Sequence, residues 1–423
     1  MAAAAFGGSP SSAAGPCDEV ASPGPGAAQH LVDALSPGQT GCLRAGLYEG
    51  NVKLQTPGIT LTRYASDKAT VKGRFWIAEG ADNVTVEGLY FDGTNPNMLP
   101  SPTINADGAT FRRNDVTNYN HSICFVLGHP DWGRANSTTI EFNRIHDCGR
   151  LPVTNHDHGI YVATATDTLI RGNWIYDNAD RGIELYPDAQ NTTITGNVID
   201  GNGSGIIFSG EFGVASNGSR VEGNVIANSR VRDNVESWYP PGNPVGRDNL
   251  VRGNCVKGGA YDDGNGGISD ERGFKVVETV RAKPAYASRS ARDFRLEAGN
   301  PCRDVLAAYR TTVPGPDGVT RSTHAQRHAP AVILGAFRKQ IQRGQRLPMI
   351  GRVASTRLRR GLSVAVVARV HGHRHLLARV PVSRNGTFSL RPRVPAVRGA
   401  RFVRVQAVVR GVGRSRSIRV RLR

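Results

Sequence analysis

A short pattern of apolar and polar positions recurs along most of this chain: a β-branched or other apolar residue, a variable one, often Gly, then Asn, a variable residue, and Ile or Val. Clear copies are Ile140-Glu-Phe-Asn143-Arg-Ile145, Ile170-Arg-Gly-Asn173-Trp-Ile175, Ile194-Thr-Gly-Asn197-Val-Ile199, Val221-Glu-Gly-Asn224-Val-Ile226 and Val251-Arg-Gly-Asn254-Cys-Val256. Phe111 to Val116 around Asn114 is another copy, and Val86-Glu-Gly-Leu89-Tyr-Phe91 carries Leu in place of Asn. Successive Asn residues stand 24 to 30 positions apart, a period that suits one coil of a parallel β-solenoid and predicts about seven coils.

A second apolar pair follows in four coils: Ile123-Cys-Phe125, Ile160-Tyr-Val162, Ile183-Glu-Leu185 and Ile206-Ile-Phe208. Alternation with period two turns the flanking apolar residues inward and predicts that Cys124, Tyr161, Glu184 and Ile207 point outward from one face. In a parallel solenoid each strand pairs with its copy one turn away, so like stacks on like. The Asn column then reads as a buried amide ladder that satisfies turn backbone groups, a structural role.

These copies resemble the right-handed parallel β-helix repeat proteins of the pectate-lyase-like superfamily, over roughly Leu43 to Cys302. The resemblance implies an all-β right-handed parallel β-helix. It does not imply one reaction, because this architecture hosts lyases, hydrolases, epimerases and inert surface proteins. Behind it, apolar runs return at Leu347 to Ala354, Leu362 to Val370, His375 to Val382, Thr387 to Leu390, Phe402 to Val409 and Ser417 to Leu422. Short strands at this spacing predict a small β-sandwich, similar to the Ig-like or fibronectin-like domains appended to secreted bacterial proteins. The expected organisation is a leader or disordered N-terminus over 1–16, the β-helix over 17–302, a linker over 303–346 and an Arg-rich sandwich over 347–423.

Composition sharpens the picture where it is uneven. Of 53 Lys and Arg, 23 fall from Pro330 to Arg423 with no Asp or Glu, leaving 30 basic against 35 acidic residues before Pro330. The net charge of +18 therefore belongs to the tail, which points to an acidic polysaccharide or cell-wall polyanion as partner. No nucleic-acid motif accompanies it, so a specific nucleic-acid role is not expected. No apolar run is long enough for a membrane span, and a monomer is expected. Six cysteines without Cys-x-x-Cys spacing read as disulfides in an oxidising, extracellular or cell-surface compartment. Fifteen connectivities are formally open, and the sequential one, Cys17–Cys42, Cys124–Cys148 and Cys255–Cys302, is the working choice.

One coil is longer than its neighbours: Asn143 to Ile160 spans 17 positions, against 9 or 10 at Asn114 to Ile123, Asn173 to Ile183 and Asn197 to Ile206. The insertion ends in Asn155-His156-Asp157-His158, and a loop on a rigid scaffold is a frequent carrier of function. Stacking would set His121, His158 and Arg181 in one column and Asn120, Asp157 and Asp180 in the next, with Tyr161, Glu184 and Tyr186 completing the patch. Enzymes acting on polyuronates must neutralise a carboxylate, abstract the adjacent proton and protonate an oxygen or the opposite face. Arg181, His158 and Tyr161 are the candidates for those roles, and a neighbouring guanidinium favours a neutral His158, oriented by Asp157 or Asp180. His121, His156, Asp180 and Tyr186 are the expected substrate-binding groups. Through its adjacent His156 and Asp157 the segment also resembles the Asp-Pro-His-Asp motif of bacterial mannuronan C5-epimerases, its order here being Asn-His-Asp-His.

The alternatives are a glycosidase with paired carboxylates, Asp157 and Glu184 or Asp180 and Glu184, and a non-catalytic surface protein in which these polar groups only solvate a loop. Asp200-Gly-Asn202-Gly-Ser204-Gly205 through Glu211 matches a calcium-loop spacing, but the repeat already accounts for those residues. No metal or cofactor is therefore assigned, with calcium kept as the minor alternative.

Overall fold

The repeat makes a corner. The residue before each ladder Asn adopts a left-handed backbone, with φ +54° at Arg113, +56° at Phe142, +63° at Gly172, +67° at Gly196, +68° at Gly223 and +60° at Gly253. Glycine reaches this region without a Cβ clash, which is why Gly-Asn dominates the repeat. The corner lets one short strand stop and the next leave in a new direction.

The computed structural model describes residues 17–306 and, with short gaps, 309–318 and 332–422. The chain divides into two compact units, Met1–Thr323 and His324–Arg423; residues 1–16, read as a leader, lie outside the described residues. In the first unit, and among the described residues, three parallel sheets wrap one core: sheet A with eleven strands, from Glu19–Ala21 to Lys275–Val277, sheet B with nine, from Gly46–Glu49 to Cys255–Gly259, and sheet C with eight, from Val52–Leu54 to Val235–Trp238. The solenoid is longer than the seven coils counted from Asn. Its early strands, such as Thr40–Leu43 and Thr60–Arg63, pair in parallel but carry no Asn at the corner.

Inward columns fill the interior. Phe111, Ile140, Ile170, Ile194, Val221 and Val251 stack from sheet A, and Phe125, Ile160, Ile183, Ile206 and Val235 from sheet C, every one fully buried. Burying each such side chain contributes about 1.5–3 kcal/mol.

The Asn ladder runs unbroken from Asn114 through Asn143, Asn173, Asn197 and Asn224 to Asn254. At each step Nδ2 and the backbone N–H donate to the next Oδ1, as at Asn173 to Asn197 with 2.9 and 2.8 Å. Nδ2 also donates to a carbonyl of the preceding coil, 2.9 Å at Ile140 O. A second ladder, not anticipated, joins Asn178 to Asn202 at the corner between sheets B and C.

The disulfides are Cys17–Cys42, Cys124–Cys148 and Cys255–Cys302, the sequential pairing. After the last coil, the hairpin of Tyr286–Ser288 and Asp293–Leu296 packs Phe294 against Trp174 and Tyr176 on sheet B. Within the stretch read as a linker, Tyr309 lies against Phe142, and Asp317 pairs with Arg63 at 3.0 Å.

The second unit is all β. Val332–Ala336, Met349–Val353 and Thr387–Leu390 form one antiparallel sheet. The other runs Gln340–Ile341, Ile418–Leu422, Phe402–Val409, Ser363–Val370, His373–Pro381 in spatial order. Met349, Val366, Ala368, Phe388, Val403, Val405 and Val420 are buried in the core of this small sandwich.

Candidate functional site

Strand register decides which side chains share the outer face of sheet C. Ile160 pairs with Ile183, Tyr161 with Glu184, Glu184 with Ile207, and Ile207 with Glu236. Three of the four outward positions expected there are correct. Cys124 is not: Phe125-Val126-Leu127 pairs with Ile160-Tyr161-Val162, so Val126 holds the outward place, and Cys124 is fully buried in its disulfide. A slip of two residues preserves the alternating pattern, so the pattern could not detect it.

The same slip moves His121 away. Counting from that register, Ile123 stands opposite His158, and the His121 Nε2 lies 2.8 Å from the Asn95 carbonyl instead of joining the cluster. His158 and Arg181 do fall in one column, continued by Ser204.

A cavity of about 580 Å³ opens over this face, lined among others by Asn155, His156, His158, Tyr161, Arg181, Glu184, Tyr186, Glu211, Arg232, Glu236 and Trp238. At its floor Glu184 is held from two sides: one carboxylate oxygen meets His158 Nε2, and the other lies 3.6 Å from Arg181 Nη1. Burial pushes the Glu184 carboxyl up, but His158 and Arg181 outweigh it and keep it below the usual range. Glu184 is therefore an ionised carboxylate at neutral pH. His158 is 3 % exposed, with its Nδ1 buried and without a hydrogen-bond partner. It lines the cavity with its Nε2 engaged by Glu184.

Arg181 is engaged through all three of its nitrogens. Nη1 and Nη2 donate to the Asn155 carbonyl and Oδ1 at 3.0 and 2.9 Å, and Nε lies 3.3 Å from Glu236 Oε1. Arg232 contacts Asp180 and Glu236, the latter at 3.3 Å, and the Ser204 hydroxyl donates to Glu236 at 2.7 Å. Asp180 is fully buried beneath these groups, and Asp157 is buried where it receives Arg150 Nε at 3.0 Å and the Thr154 hydroxyl. Those two carboxylates pin the insertion and the arginines and do not line the cavity.

One wall is aromatic. Tyr161 stacks near Tyr186, their centroids 6.2 Å apart, and Tyr186 lies 6.5 Å from Trp238. Burial raises the Tyr161 hydroxyl, reinforced by Glu184, so it keeps its proton. Burial also raises Tyr186, whose hydroxyl donates to Glu211. Behind Glu236, burial and the Glu236 charge push Asp233 up to about 6.

Glu236, Arg232 and Trp238 escaped the reading of the sequence. A fifth copy of the second strand, Val235-Glu-Ser-Trp238, was there to be found, with Val235 inward and Glu236 outward. The residues of calcium-loop spacing diverge: Asp200 accepts from Arg289 and Tyr286, Asn202 belongs to the second ladder, and Ser204 bonds Glu236. Among the described residues no group of three or more His, Cys, Asp or Glu side chains could hold a metal ion. A larger open hollow of about 1060 Å³ lies elsewhere, but its charged residues Asp167, Arg220, Asp248 and Lys275 are all exposed to water.

The strand topology defines a right-handed parallel β-helix that carries this outer-face cavity, followed by a C-terminal β domain. The family model described as Right handed beta helix region matches residues 78–269. Similar solved structures include the pectate lyase Pel9A, 12% identical, covering 68% of this chain and 91% of that one with a TM-score of 0.47. ORF18 of Geobacillus virus E2 is 12% identical over 94% of this chain and 72% of that one, TM-score 0.41. The periplasmic alginate epimerase AlgG is 13% identical over 62% and 84%, TM-score 0.29. No curated protein matches the sequence.

Proposed function

We propose that this chain processes a polysaccharide laid on the outer face of sheet C, and that it cleaves a glycosidic bond with Glu184 and Glu236 as the working carboxylates. One observation carries this: Arg181 lies between Glu184 and Glu236, 3.6 Å from one and 3.3 Å from the other, gathering carboxylates from strands two rungs apart at one cavity floor. Their backbones stand two strand spacings apart, about 9.6 Å, and the shared guanidinium draws the two carboxylates closer together than that, as the paired carboxylates of a glycosidase require. Glu184, held ionised, suits the base or nucleophile, and Glu236 is the second carboxylate of the pair. Tyr161 and Trp238 offer apolar faces beside them.

A uronate lyase or C5-epimerase is the second reading, favoured by the protonated Tyr161 hydroxyl in a cavity that also holds Arg181 and His158. It has a cost here, because both cavity arginines are already paired with carboxylates and a uronate would have to displace one. Three disulfides suit a secreted or periplasmic setting for either.

The test is incubation of the purified protein with neutral and uronate polymers, following reducing ends, ultraviolet absorbance of unsaturated ends and C5 configuration. New reducing ends without absorbance support the hydrolase. Absorbance or epimerised residues favour the second reading, and a broad panel left unchanged makes the β-helix a binding or spacer protein.

A further inference from the structure

The second unit carries like charges where a sheet tolerates them least. Arg369 pairs directly with Arg374 on one neighbouring strand and with Arg404 on the other, and Arg404 pairs with Arg419 on the strand beyond. Four adjacent antiparallel strands thus place Arg at one cross-strand row. Residues directly opposite project to the same face, and Arg369, Arg374 and Arg404 are all exposed there.

Like charges directly opposite in a sheet are destabilising. From Pro330 to Arg423 no Asp or Glu exists to relieve them, so no carboxylate side chain of this unit can pair with the row. For charge alone, a neutral strand-forming residue would serve better at these positions.

We propose that this arginine row binds a linear polysaccharide bearing carboxylates along its length, independently of any reaction at sheet C. Arg374, Arg369 and Arg404 stand on adjacent strands about 4.8 Å apart, and each of their guanidinium forks can take a carboxylate bidentately. No recognised nucleic-acid motif accompanies the row in the sequence, so the carboxylated chain is the committed partner.

The experiment uses the full chain and immobilised polygalacturonate, with polyphosphate and an oligothymidylate at equal charge concentration as competitors. Three variants are compared: wild type, the row variant Arg369→Gln/Arg374→Gln/Arg404→Gln, and a charge-matched control, Arg346→Gln/Arg391→Gln/Arg393→Gln, whose arginines are exposed on other strands or loops of the same unit. The row variant is expected to weaken polygalacturonate binding at least tenfold, lower the slope of log affinity against log salt by about two to three, and raise the melting temperature of the second unit. The control is expected to change affinity less than threefold. Equal losses in both variants, or tighter binding of polyphosphate or oligothymidylate than of polygalacturonate, would overturn the proposal. So would a row variant that melts earlier than wild type with its affinity unchanged.

Discussion

Arg181 reaches Glu236 across two coils, its Nε 3.3 Å from the carboxylate over a sequence separation of 55 residues. Both side chains are nearly closed to solvent, at 7 and 10 % exposure. The same guanidinium faces Glu184 and clamps Asn155 of the insertion, so one residue ties the loop to two carboxylates.

Removing that residue strands buried charge. Arg181→Met should destabilise the first unit by about 3–5 kcal/mol, the usual cost of breaking a buried ion pair, and should raise the Glu184 carboxyl toward neutrality. Urea unfolding followed by tryptophan fluorescence measures the first effect. A loss below about 1 kcal/mol, the range of exposed pairs, would show that Arg181 is not the bridge described.

The Asn ladder makes a prediction independent of function. Asn173→Ala removes the acceptor of the Asn143 N–H and Nδ2 and the donor to Ile140 O, and should cost about 2–4 kcal/mol, the price of stranded buried groups. Asn173→Asp has nearly the same shape but turns the donor into a charged acceptor facing Ile140 O and Asn197 Oδ1. It is expected to cost at least as much as the Ala variant. An Asp variant as stable as wild type would contradict the ladder.

On sheet B, His146 lies between Asp115 and Asp147, at 3.0 and 2.7 Å. Burial pulls its pKa down, but the two carboxylates outweigh burial and the net direction is up. A raised histidine contributes stability in full below its unfolded value of about 6.5, and that contribution fades as pH rises through the folded value. The wild-type melting temperature should therefore fall on going from about pH 6 to 9 by more than that of His146→Gln. Parallel slopes for the two proteins would refute the charged clasp.

Asp233 titrates high, at about 6, through burial and then through Glu236 and Asp263. In Glu236→Gln its midpoint should drop toward the ordinary carboxylate range, read by the side-chain carboxyl signal in an NMR titration. An unmoved midpoint would mean that Glu236 exerts no field there.

How much of this was written in the sequence follows from what repeats. Gly-Asn corners and inward Ile columns repeat because each coil needs them, so the solenoid, its ladder and the column of Tyr161, Glu184 and Ile207 were legible. The His121 placement failed because alternation survives a two-residue slip, and only pairing of Phe125 with Ile160 fixes the register. Glu236 was missed because Ser237 stands where Phe, Val or Leu closes the other four copies of the second strand, which breaks the apolar pair. The burial of Asp157 and Asp180, and the engagement of Arg181 by Asn155 and Glu236, depend on groups 26 to 55 residues away, which spacing alone does not encode.

The most direct measurement is the rate of reducing-end formation by wild type, Glu184→Gln and Glu236→Gln on whichever polymer the wild type degrades, with the folding of each variant checked by its melting curve. Both folded variants are predicted to lose at least about a hundredfold in rate, as removal of general acid–base groups commonly does. A folded variant of either residue that releases product at the wild-type rate contradicts the assignment.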